Sequence, residues 1–348
     1  VVAAVKDELP PIPGHLSQHN TRGNRLLLGA LQEVFPVVEK TLADTPPHRV
    51  AIVVGTSNSG IREGELALAH HRRHGAFPPA YHYAQQELGS PSMFLADFLR
   101  TRGPAYTIST ACTSSARAFI SAKRLLAADL ADVVIVGGAD SLCRMTLGGF
   151  DSLSALSRGG CRPFAAGRDG ITIGEAAAVF ILGKSPAPIR LAGFGESSDA
   201  HHMSAPDPTG AGAEAAIRQA AQSAGVGEAG EVAYVNLHGT GTPLNDSMEA
   251  AAIHRVFGDR VPCSSTKHLT GHTLGTCGAL EADIACTLLE NPGLPLPNQQ
   301  LTADSTDPAL PDIHLLRADA SEHLRGKKIL STNFAFCGNN TALLFSTE

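Results

Sequence analysis

Charged residues make up only 17% of this chain, and no basic surplus exists among them. The 27 Lys and Arg against 33 Asp and Glu give a formal charge of −6. A polyanion-binding surface is therefore not expected, and nucleic acid is not an expected partner. Long apolar runs are equally scarce. Val133–Val136 and Ala176–Leu182 fall far short of the ~20 residues that cross a bilayer as a helix, so no membrane insertion is expected. Val1–Val5 carry no charged leader and are soon followed by Pro10, Pro11 and Pro13, which argues against a secretory signal. The seven cysteines are odd in number and lack paired spacing. A disulfide framework is not expected, and a reducing cytoplasm is. Cys263, Cys277 and Cys286 have no C-x-x-C spacing or close Cys/His pairing, so no metal is expected.

What is present is ample core material: 348 residues, 43% of them hydrophobic, enough for a large folded enzyme. The most informative stretch is Thr110-Ala111-Cys112-Thr113-Ser114-Ser115-Ala116. Ala105 to Ser109 reads as a short buried strand, and Ser114 to Ala128 as a helix. A thiol at such a strand-to-helix turn feels the positive end of the helix dipole and its unpaired N–H groups, both of which favour the nucleophilic thiolate. The alternative for Cys112 is a buried structural cysteine.

Two downstream motifs supply histidines. In Val235-Asn236-Leu237-His238-Gly239-Thr240-Gly241-Thr242 a buried strand runs into a glycine-rich turn, and in Ser265-Thr266-Lys267-His268-Leu269-Thr270-Gly271-His272 a turn presents His272 at the start of a helix of small residues. Most of the 15 histidines, such as His70, His71 and His74, are bystanders. His238 and His272 stand out because flanking glycines let backbone or substrate approach closely.

With Asn333-Phe334-Ala335-Phe336-Cys337-Gly338-Asn339-Asn340 near the end, these motifs occur in an order that resembles the elongating beta-ketoacyl-ACP synthases. Lesser matches are Cys161-Arg162-Pro163-Phe164, Gly174-Glu175 and Asp199-Ala200-His201-His202-Met203, so the resemblance covers essentially the whole chain. It implies a Cys112 nucleophile, with His238 and His272 stabilising an enolate formed from malonyl-ACP. It further implies that Lys267 places a positive charge beside the site and disfavours imidazolium, that Glu281 helps organise the site, that Thr240 and Thr242 bind the carrier's phosphopantetheine arm, and that Phe336 gates the acyl pocket. No metal or cofactor is implied; acyl carrier protein is the implied partner. The turn at Phe336 departs from the family's Phe-Gly-Phe-Gly-Gly-Thr-Asn at Ala335, Cys337 and Asn339, which would stiffen the gate. The run Thr21-Arg22-Gly23-Asn24-Arg25-Leu26-Leu27 is most similar to ketosynthases of bacterial aryl-polyene clusters. The competing readings are a non-catalytic chain-length factor, which usually lacks the nucleophile, a thiolase with Cys-His-Cys chemistry, and a chain-initiating synthase with Cys, His and Asn.

The chain also repeats itself. Helical Asn24–Ala43 and strand Arg49–Val54 correspond to helical Ala213–Ala224 and strand Glu231–Leu237; strands Ala131–Val136 and Glu175–Leu182 correspond to Lys328–Thr332 and Asn340–Phe345. Two such halves, 1–185 and 186–348, imply an α/β protein with parallel-rich sheets. The resemblance names it the thiolase fold, five layers α-β-α-β-α. Strand Pro188–Gly195 has no counterpart in the first half. The expectation is a strand upstream of Val1 in the middle of the first sheet, or else a visibly incomplete sheet there. A dimer is expected through the edge near Tyr106–Thr110, with a like chain or a chain-length-factor-like subunit, the mate's Leu142–Leu156 lining the far end of the acyl pocket.

Overall fold

The computed structural model describes residues 1–227 and 231–347. The first half carries β1 (Val2–Ala3), α1 (Arg22–Glu33), α2 (Phe35–Ala43), β2 (Val50–Gly55), α3 (Ile61–His74), α4 (Ser90–Leu99), β3 (Ala105–Ile108), α5 (Ser114–Ala127), β4 (Val133–Asp140), α6 (Arg144–Ser152), β5 (Ile173–Gly174) and β6 (Ala176–Gly183). The second half carries β7 (Arg190–Ser198), α7 (Ala211–Ser223), β8 (Tyr234–Asn236), α8 (Pro243–Phe257), β9 (Cys263–Ser264), α9 (Lys267–Thr270), α10 (Cys277–Glu290), β10 (Lys328–Ala335) and β11 (Asn339–Ser346).

Local chemistry sets the boundaries. Thr21 caps α1 by accepting the Asn24 N–H at 3.0 Å. The single helix expected over 24–43 is two, because Pro36 lacks an N–H and its ring clashes with the carbonyl four residues back. Strand β2 is buried at every residue, as a parallel strand covered on both faces must be.

The first sheet has the order β3-β2-β4-β6 and the second β9-β8-β10-β11-β7. In each, the first three strands are parallel and the next is antiparallel. Helices α5 and α10 lie between the sheets, where Ala116, Phe119, Ala279 and Ala282 share one core with Val134, Val136, Ile329 and Leu343. Helices α1 and α4 cover the outer face of the first sheet, and α7 and α8 that of the second. These are the five layers of the thiolase fold.

The pairing order corrects one expectation. The unmatched strand, β7, sits at the edge of the second sheet against β11. The first sheet is one strand short, but at the outer side of β6 rather than in its middle, and the ladder β3-β2-β4-β6 runs unbroken. Strand β3, the expected dimer strand, is the opposite edge of that sheet.

Candidate active site

Cys112 lies between β3 and α5, two residues before the helix begins, and is 7% exposed. Ala111 takes a left-handed φ of 54°, a strained conformation for a residue with a Cβ, which turns the chain sharply into the helix. The turn is tied by Ser114 Oγ, which donates to Ala111 O at 2.5 Å and accepts the Thr110 N–H at 2.9 Å. Close approach of α5 to its neighbours requires glycine at two positions. A Cβ on Gly55 would stand 2.2 Å from the Ser115 nitrogen, and one on Gly278 would stand 2.6 Å from that of Ala116.

The second half brings the histidines to this turn. One ligating atom each from Cys112, His238 and His272 all fall within 4.8 Å of one another, and all three residues are buried. The imidazole rings meet edge to face, with centroids 5.5 Å apart. His238 follows β8, and its turn is clamped by two buried carboxylates from α8. Glu249 accepts the N–H groups of His238 at 2.7 Å and Gly239 at 2.6 Å, and Asp246 accepts those of Thr240 at 3.1 Å and Gly241 at 3.2 Å. Burial pushes the Glu249 carboxyl up to about 7, with Asp246 adding to the rise. Burial, then Lys267 and His272, hold His238 well below the ordinary imidazole range, so it is neutral near pH 7.

His272 is not on a helix, as had been expected, but on the loop before a 3-10 turn, Leu274–Thr276; α10 starts only at Cys277. Leu274, at φ 56°, breaks helical geometry there, and its N–H donates to His272 Nδ1. With Nδ1 accepting, the neutral ring carries its proton on Nε2. That arrangement suits a hydrogen-bond donor and opposes metal binding, which would need the Nε2 lone pair.

Lys267 and Glu281 form a buried ion pair, with side chains 1% and 3% exposed. Burial alone would lower the Lys267 ammonium, but the Glu281 carboxylate outweighs it and raises its pKa above the ordinary lysine value. Glu281 also accepts the Asn333 amide at 2.6 Å. Neither side chain is on the cavity wall, and the Lys267 charge helps to hold the His238 imidazole neutral.

A cavity of about 290 Å³ opens onto Cys112, His238 and His272 and includes Thr240, Thr242 and Phe336 among its walls. The Thr240 and Thr242 hydroxyls are 2.9 Å apart. Phe336 faces Phe150 from α6, with ring centroids 5.4 Å apart. This chain's own Phe150, Leu153, Ser154 and Ala155 line the cavity, part of the stretch expected from a mate. Of the three departures in the Phe336 turn, only Cys337 occupies a glycine-like conformation, at φ 64°. Sequence reasoning missed the Asp246 and Glu249 clamp and Phe150. The two acids, three residues apart at the head of the helix after the His-Gly-Thr-Gly-Thr turn, were the available signal.

A cysteine turn from one half and two histidine turns from the other, meeting in a duplicated five-layered α/β scaffold, define a thiolase-fold protein with a Cys-His-His site. Residues 15–187 match the beta-ketoacyl synthase N-terminal domain and residues 189–299 its C-terminal domain, so the chain belongs to the beta-ketoacyl synthase family. The structure of the ketosynthase ApeO from Xenorhabdus doucetiae, in complex with its chain length factor ApeC, is 51% identical in sequence. It superposes with a TM-score of 0.95, covering 99% of this chain and 86% of that one. Nodulation protein E of Rhizobium meliloti is 36% identical over 260 residues, 71% of this chain and 63% of that protein. The 3-oxoacyl-[acyl-carrier-protein] synthase 2 of the same species (strain 1021) is 34% identical, covering 70% and 61%. The chain thus spans less than two thirds of either of these curated relatives.

Proposed function

We propose that this chain carries out the decarboxylative condensation of an acyl thioester with malonyl-ACP, giving a beta-ketoacyl-ACP. The observation that carries the reading is the convergence of Cys112, His238 and His272 within 4.8 Å at one cavity. The Cys112 thiolate attacks the acyl thioester carbonyl, and the carrier thiol leaves. The backbone N–H groups of Cys112 and Phe336 serve as oxyanion donors. The N–H groups of His238 and His272 then hold the malonyl thioester oxygen while the carboxylate departs as CO2, leaving an enolate. Its carbon attacks the acyl-Cys112 carbonyl, and collapse of the adduct returns the thiolate. No metal or organic cofactor enters this scheme. A neutral His238 and a proton on His272 Nε2 are the states it needs, and Lys267 opposes imidazolium formation.

Thr240 and Thr242 bind the phosphopantetheine arm on the cavity wall, and Phe336 against Phe150 forms the gate. The acyl chain is proposed to be a conjugated aryl-polyene intermediate. The likeness to ApeO, solved with its chain length factor, supports this and favours a related subunit over a like chain as dimer partner. The site of action is proposed to be the cytoplasm; the seven cysteines are all free thiols, and among the described residues no helix is long and apolar enough to cross a membrane.

The test incubates the purified protein with malonyl-ACP and a panel of acyl-ACPs, reading acyl-enzyme and products by mass spectrometry. Acylation at Cys112 followed by two-carbon extension is expected; acylation at another residue would overturn the assignment. Light scattering at low micromolar concentration, alone and with a co-encoded relative, tests the assembly. A dimer is expected, burying above about 2,000 Å², and a monomer with full activity would defeat the expectation.

A further inference from the structure

Asp140 ends β4 with its side chain fully buried, and it is not on the cavity wall. Four uncharged donors converge on it. Its Oδ1 accepts from the Thr56 hydroxyl at 2.8 Å, the Ser57 N–H at 2.8 Å and the Asn58 N–H at 2.9 Å, while Oδ2 accepts from the Thr276 hydroxyl at 3.3 Å. A buried carboxyl is expensive to desolvate unless its lone pairs are met, and these four donors meet them.

Two of these donors lead directly to the reacting groups. Ser57 donates its own hydroxyl to Ala111 O at 3.2 Å, and Ala111 is the left-handed residue that sets Cys112. Thr276 closes the 3-10 turn whose first residue, Leu274, holds His272 Nδ1 at 3.0 Å. The two routes touch: a Cβ on Gly275 would stand 2.7 Å from the Ser57 nitrogen. One carboxylate from the first half therefore grips the support of the nucleophile with one oxygen and the support of a histidine from the second half with the other.

We propose that Asp140 is a positioning residue that sets the Cys112 turn and the His272 turn against each other across the two halves. The proposal rests on the condensing reading above. The cysteine turn and the histidine turn come from different halves. Asp140 joins their supports through its two oxygens, beside the direct backbone pairing of His272 with Thr172 and Gly174.

The experiment follows two rates on the full chain. One is alkylation of Cys112 by iodoacetamide, by intact-protein mass spectrometry; the other is CO2 release from malonyl-ACP. Asp140→Asn is expected to lower both about tenfold at unchanged KM for malonyl-ACP. Ser57→Ala should slow alkylation alone, and Thr276→Val should slow CO2 release alone. That split separates positioning from a general loss of stability, and the two outer variants carry the test if Asp140→Asn does not fold. Rates within twofold of the parent in Asp140→Asn would overturn the proposal, as would Ser57→Ala and Thr276→Val each moving both rates together. A parent chain that releases no CO2 would instead sink the condensing reading; the alkylation rates of Asp140→Asn and Ser57→Ala still decide the coupling at the nucleophile.

Discussion

His272 accepts the backbone N–H of Leu274 at 3.0 Å through Nδ1, which fixes the proton of the neutral ring on Nε2. The tautomer is therefore written into the backbone two residues on. Replacing His272 with Ala should slow CO2 release from malonyl-ACP by roughly 10²–10³, the loss expected for one oxyanion donor. Acylation of Cys112 should persist, because the attack on the acyl thioester is made by the Cys112 sulfur and His272 serves the malonyl step. Intact-protein mass spectrometry and CO2 release, measured side by side, check the division. Parental CO2 release in this variant would exclude the role given to His272.

Cys112→Ala should show the reverse pattern. Acyl transfer and extension are lost, since no other thiol sits at an equivalent turn, while CO2 release survives on the two histidines. A variant still acylated at the parental rate would mean that another group is the nucleophile.

The Lys267–Glu281 pair makes a claim about stability. Lys267→Met leaves the Glu281 carboxylate buried without its cation, which should cost about 3–5 kcal/mol, whereas Lys267→Met with Glu281→Leu should recover much of it. Urea denaturation of both variants decides this. A single variant no less stable than the double would mean that the pair is not coupled as its burial requires.

Much of the site was legible because its chemistry is local. Cys112 follows a short apolar strand and precedes an alanine-rich helix, and His238 stands in a turn of glycines and threonines. The first strand of the repeat, β2, was read within one residue because it is uniformly apolar and mostly β-branched. What escaped depends on contacts distant in sequence. The edge position of β7 is set by pairing with β11, some 150 residues away, which no local pattern encodes. The loop at His272 turned on one unusual φ, at Leu274, a residue type that rarely adopts it. Asp246 and Glu249 carry no local signal of their partners, since an acid near a helix start commonly complements the dipole. Only the fold shows them bonded to the turn of His238.

Buried carboxylates give the stability a pH dependence of definite sign. Burial raises Asp140 from 3.8 to about 6 and Glu249 from 4.5 to about 7. A carboxyl raised on folding binds its proton more tightly folded than unfolded, so its contribution is intact below the unfolded pKa and is lost as pH rises toward the folded value. Relative to Asp140→Asn, which does not titrate there, the wild-type unfolding free energy should fall by roughly 2 kcal/mol between pH 4 and pH 6 and level off above about pH 7. Urea midpoints across that range measure it; a difference that grows in favour of wild type with rising pH would contradict the assignment.

The glycines packed against α5 have a consequence for how this chain can vary. Gly55 on β2 lets α5 settle on its own sheet, and Gly278 on α10 lets α5 meet the other half in a seam; an added methyl group would stand 2.2 and 2.6 Å from the Ser115 and Ala116 nitrogens. Cys112 belongs to one side of that seam, and His238 and His272 to the other. Neither half holds the proposed reaction centre by itself. A substitution in the seam that leaves each half folded but displaces one against the other would give a well-behaved, silent protein, so a chain of this kind can fall inactive through its packing while every reactive side chain is kept.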